Sequence, residues 1–149
     1  TIPGAGCVHG PRSCRRPSVP TLHTYDYAVI RVVPRVEREE FINVGVIVSC
    51  PGARHLQAAI EIDVARMQAF APGLDLEALQ PWLDAIVAIC RGDANAGPIA
   101  QLPARARFHF LTAKRSSIVQ MSSTHVGRTA DPEGVVEHLM RKMVRVPAA

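Results

Sequence analysis

The segment Tyr25–Ser49, YDYAVIRVVPRVEREEFINVGVIVS, most constrains what this chain can fold into. It holds two apolar-rich runs joined by a short charged connection, the pattern of two strands of a hairpin. In the first run Ala28, Ile30 and Val32 share one face, and Tyr25, Tyr27, Val29 and Arg31 share the other. In the second, strict alternation predicts an apolar face of Ile42, Val44, Val46 and Val48 opposite Phe41, Asn43, Gly45 and Ile47. The apolar faces define a core side. The mixed faces define a surface on which Arg31 and Asn43 come close together. A cation in mid-strand is costly unless paired, so Arg31 is expected to meet a carboxylate such as Glu40 or Glu61.

After Pro51-Gly52, a turn signal, His55–Ile62 alternates cleanly, with Leu56, Ala58, Ile60 and Ile62 on one face. The short connection makes this a third strand, antiparallel to the second. Asp63 can cap a short helix through Phe70 that buries Val64 and Met67. Asp75 begins another helical turn, and Pro81 is expected near the first turn of the main helix, where its missing N–H costs little. Trp82, Ile86, Ile89 and Cys90 recur at helical spacing, with Trp82 as a core anchor and Gly92 as the stop. Ala104–Ala113 fits either a strand or a short helix, and the helix is favoured. Ser117–His125 has strand-forming residues but is polar on both faces, which suits an exposed edge or part of a site. Asp131-Pro132 opens the last helix, with Val135, Val136, Leu139, Met140, Met143 and Val144 as its stripe. The expected fold is α+β: an antiparallel sheet of about four strands with helices packed on one face. Residues 1–22 read as a disordered basic leader and residues 23–146 as one domain.

Composition narrows the function. The net charge is +4, and Arg12, Arg15 and Arg16 in the acid-free head supply three of those charges. The near-neutral remainder argues against broad nucleic-acid binding, which requires many phosphate contacts. No apolar run reaches the roughly 18–20 residues of a membrane helix, and the head lacks the hydrophobic segment of a secretory signal, so a cytoplasmic protein is expected. The four cysteines match no zinc or redox spacing; Cys50 and Cys90 read as small buried hydrophobes, and neither a metal site nor a cofactor is expected.

One interval departs from this neutrality. Between Asp93 and Asp131 there is no carboxylate, yet Arg105, Arg107, Lys114, Arg115 and Arg128 all fall inside, with His109 and His125. Arginines beside Ser116 and Gln120 suit a phosphate or carboxylate, since a guanidinium offers forked donors and a hydroxyl a short one. A Lys114-Arg115-Ser116 turn can add backbone N–H groups to the same site. The competing reading is a solvated turn. The candidate ligand residues are therefore Arg31, Asn43, Arg107, Arg115, Ser116 and Gln120, with Glu40 and His125 as candidate proton-transfer groups. No phosphate-binding loop, dinucleotide fingerprint, metalloprotease motif or nucleophile elbow is present.

Together these residues resemble a family of small bacterial proteins, domain of unknown function 3037 (DUF3037). The resemblance spans about Tyr25–Val144. It rests on Tyr25-Asp26-Tyr27, Arg31 and Pro34, then on the run from Glu40 through Asn43 and Gly45 to Val46. Further on it includes Arg107-Phe108, Leu111-Thr112-Ala113, Arg115-Ser116, Gln120, His125, Gly127 and Asp131-Pro132. The chain has Ala113-Lys114-Arg115-Ser116 where the family's turn commonly reads Ala-Pro-Arg-Ser, and Ser123-Thr124-His125 where Pro-Val-His is usual. The family carries no established activity. Some members are encoded beside a HipA-like Ser/Thr kinase, which implies an accessory role. Two functions are thus expected: a non-catalytic module holding a partner protein or a small anionic ligand, or a small enzyme acting on a phosphorylated or nucleotide-like substrate.

Overall fold

A computed structural model describes residues 21–147, so nearly all of the expected leader lies outside the described residues. Strands β1 (His23–Val32), β2 (Ile42–Cys50) and β3 (His55–Ile60) form an antiparallel meander. Helices α1 (Val64–Phe70), α2 (Leu76–Arg91) and α3 (Ala104–Thr112) follow. The chain then returns to the free edge of β1 as β4 (Val119–Met121) and β5 (His125–Thr129), and closes with α4 (Val135–Leu139) and a π-helical turn, Met140–Val144. The sheet is antiparallel throughout, in the order β3-β2-β1-β4, with β5 also paired to β1. The class is α+β as expected, with five strands.

The second strand departs from strict alternation. Ile30 pairs with Gly45 and Arg31 with Asn43, so Val44 is an extra residue that forms a β-bulge. Beyond the bulge the side-chain parity changes. Ile42, Val44 and Ile47 pack with Ala28, Ile30 and Val32 against α1, α2 and α3. Val46 and Val48 instead meet Val135, Val136, Leu139 and Met140, with Tyr25 and Tyr27 at the margin. The expected face of Ile42, Val44, Val46 and Val48 is therefore split, and the sheet is covered on both faces rather than one. The cause is local: the bulge redirects half of β2, and the C-terminal helix covers what it exposes.

The polar stretch after α3 is likewise not one strand. Its central Ser122 is buried; its Oγ accepts from the Val29 N–H (2.8 Å) and donates to the Ser123 carbonyl (2.9 Å). A hydroxyl replacing a backbone partner breaks the ladder and separates β4 from β5.

Asp63 and Asp75 cap α1 and α2 through their carboxylates, and Gly92 ends α2 at φ +71°. The Asp75 cap makes α2 one continuous helix, which leaves Pro81 in its interior, not in its first turn. The residue is exposed, so water can reach the backbone carbonyl its ring leaves without a donor. Trp82 is no core anchor: it is 64% exposed, and Leu79, Leu83, Ile86 and Cys90 make the buried stripe. Cys50 and Cys90 are both buried free thiols, and burial pushes the Cys90 thiol up to about 12 despite nearby Arg107. No helix among the described residues is long and apolar enough to cross a membrane.

Candidate functional site

The register of the sheet aligns three of the expected ligand residues. Asn43 on β2 and Gln120 on β4 both stand opposite Arg31 on β1, forming one cross-strand row. Residues directly opposite in antiparallel strands share a face, so the row lies on the mixed side of the sheet. The turn after α3 reaches this row from above its β4 end. A cavity of about 390 Å³ there is lined by Arg31, Lys114, Arg115, Ser116, Gln120, Met121 and Ser123. Four of the six expected ligand residues thus meet in one concavity, joined by a lysine and a second serine.

The electrostatics of this cavity are one-sided. It has three cationic side chains and no carboxylate in its lining, and among the described residues none of the three forms an ion pair. The expected pairing of Arg31 with Glu40 or Glu61 does not form. Glu40 is held by Arg38, and Glu61 lies 3.1 Å from Arg145. Arg31 instead lies over the Phe41 ring, 4.0 Å from its centroid, where a cation is attracted without being neutralised. Arg115 is held in the same manner, 4.5 Å from the Phe110 centroid, with one N–H donated to the Phe110 carbonyl (3.0 Å). A guanidinium has five donors, so most of those on Arg115 are free of this contact. Two fixed guanidiniums and a lysine without counter-charge form an arrangement that an anion relieves.

Asn43 takes part at one remove. Its side-chain N–H donates to the Met143 carbonyl (3.1 Å), which fastens the C-terminal turn to the sheet. Its Oδ1 and the Nε of Arg31 are both buried without a partner, an acceptor and a donor at directly opposed positions. A small rotation of either side chain that joined them would fix the plane of the Arg31 guanidinium.

The other candidates lie elsewhere. Arg107 donates to the carbonyls of Ile89 and Cys90 (2.8 Å each) and of Leu102 (2.9 Å), closing the C-terminal end of α2. Arg107→Ala is expected to lower stability by about 1–3 kcal/mol, because three carbonyls lose a charged donor. Denaturant unfolding checks this. Glu40 lines a separate hollow beside Pro34 and Phe70. His125 is exposed at the start of β5, its ring 5.3 Å from that of Tyr27. Arg105 is neutralised by Asp26 at 2.6 Å and donates to Ser49.

Sequence reasoning missed the wall beside the cavity. Arg115, Gln120 and Met121 also line an apolar groove of about 450 Å³ between α2, the end of α3 and β4, which contains Trp82, Ile89 and Phe110. The signal was present in the spacing: Trp82, Ala85, Ile86 and Ile89 make a second apolar stripe beside the buried one. The chain has no match among curated proteins or solved structures. The family model described as "Protein of unknown function (DUF3037)" matches residues 27–144, most of the chain, and the chain belongs to that family.

Proposed function

We propose that this protein is a non-catalytic binding module whose Arg31–Lys114–Arg115 cavity holds a phosphate or carboxylate group. The observation that carries this reading is the convergence of three cations that form no ion pair among the described residues, two serines and a glutamine in one concavity without a carboxylate in its described lining. The group belongs to a small anionic ligand or to a partner protein. The family resemblance suggests a HipA-like Ser/Thr kinase as that partner. Binding is favoured over catalysis because both candidate proton-transfer groups, Glu40 and His125, stand outside the cavity. We place the protein in the bacterial cytoplasm, a setting that suits its buried free thiols.

Arg115→Ala tests the proposal. Arg115 is exposed and forms no ion pair among the described residues, so its loss is expected to change stability by about 0–1 kcal/mol. Phosphate affinity is expected to fall by about 1.5–3 kcal/mol, the worth of a charge-assisted hydrogen bond. Calorimetric titration of inorganic phosphate into parent and variant, at two salt concentrations, reads the second effect. A strongly destabilised variant that binds phosphate like the parent would make Arg115 a structural tie and remove the site.

A further inference from the structure

The apolar groove shares a wall with the cationic cavity, and that contiguity restricts what the ligand is. A single exposed tryptophan would mean little, since apolar atoms are common on protein surfaces. Here Trp82 is 64% exposed and lines the groove together with Ile86, Ile89 and Phe110. Only Arg115, Ser117 and Gln120 contribute polar side chains, and no carboxylate lines it. A volume of about 450 Å³ and a mostly apolar lining with a few polar groups match the usual form of small-molecule sites. Arg115 is placed at the junction, stacked on Phe110 and lining both spaces.

We propose that the ligand is a small aromatic anion, a planar ring carrying a phosphate or carboxylate. Its charged group lies against Arg115, Arg31 and Lys114, and its ring lies in the groove beside Trp82. This rests on the anion-binding reading above and extends it from a charge to a molecule. The ring is favoured over an aliphatic chain because two aromatic side chains, Trp82 and Phe110, face the groove with it. The groove and cavity are complementary to such a ligand in charge as well as in polarity: cations meet its anion, and apolar surface meets its ring.

Trp82 is the one tryptophan of the chain, so its emission reports on the groove alone. The full chain is titrated with phenyl phosphate, inorganic phosphate and phenol, following emission and heat at constant ionic strength. Phenyl phosphate is expected to change Trp82 emission saturably and to bind about tenfold or more tightly than inorganic phosphate. In Trp82→Ala, followed by heat, phenyl phosphate is expected to fall to the level of inorganic phosphate, whose own binding persists. Arg115→Ala is expected to weaken both. Equal affinity for the two phosphates in the parent overturns the ring assignment and leaves the anion site standing. Binding of neither overturns both. If phenol matches phenyl phosphate and Arg115→Ala has no effect, the groove is an apolar pocket unconnected to the cations. A response to a phosphorylated peptide but not to phenyl phosphate makes it a peptide-docking surface and overturns the small-ligand proposal.

Discussion

Val44→Asp is expected to leave the chain unfolded in buffer at room temperature. Val44 is 1% exposed, packed at the bulge between the sheet and the helices α1, α2 and α3. A carboxylate there has no partner, and burying it costs several kcal/mol, comparable with the roughly 5–15 kcal/mol that holds a domain together. Val46→Asp is expected to do the same, because Val46 is fully buried on the opposite face under α4. With strict alternation Val44 and Val46 would share one face; with the bulge they report on two. Circular dichroism and thermal unfolding of both variants check this. A folded Val46→Asp variant beside an unfolded Val44→Asp variant would mean that the C-terminal helix does not cover the second face.

Gly45→Ala is expected to destabilise by about 1–3 kcal/mol or more, unusually much for adding one methyl group. A Cβ at position 45 would stand 2.3 Å from the Ala59 carbonyl oxygen and 3.0 Å from the Ile60 side chain. The nearer obstacle is backbone of β3, which can yield only by opening the β2–β3 pairing. The requirement at Gly45 is thus close approach of two strands, which a residue without a side chain permits. Denaturant midpoints of parent and variant measure the cost. A midpoint unchanged within error would show that β3 does not sit this close to the bulge.

These two sites also explain what the amino-acid pattern revealed and what it concealed. Elements with strong periodicity were legible: β1, β3, and α1 with its Asp63 cap. Asp75 and Asp131 were legible as caps, but the pattern does not show that α2 runs unbroken from Asp75 through Pro81, or that Asp131 caps a 3-10 turn, Pro132–Gly134, ahead of α4. β2 was legible as a strand but not in its faces, since a bulge shifts parity without leaving a distinctive residue type. The unbroken apolar run Val44–Val48 was the available hint, because strands covered on both faces lose their alternation. Pro81 and Trp82 misled for a related reason. Helical spacing identifies an apolar stripe but not whether it meets the core or a groove, and α2 carries one of each. At the candidate site, residue chemistry selected Arg31, Arg115, Ser116 and Gln120. Their convergence depended on β4 returning to pair with β1, a long-range register that no local pattern encodes. Arg107 looked equivalent in sequence. It differs only because the end of α2 lies within reach of its guanidinium.

Arg31, Lys114 and Arg115, which form no ion pair among the described residues, are proposed to make one anion site. The most direct measurement is a titration of the isotope-labelled full chain with inorganic phosphate at constant ionic strength, followed by backbone amide shifts. Saturable shifts are expected, concentrated at Arg31, at residues 114–116, and at Gln120 and Ser123. In Arg115→Ala the same shifts are expected only at phosphate concentrations about tenfold or more higher, with the rest of the spectrum preserved. Shifts that do not saturate, or that spread evenly over distant basic residues such as Arg66, Arg91 and Arg141, would contradict the proposed site.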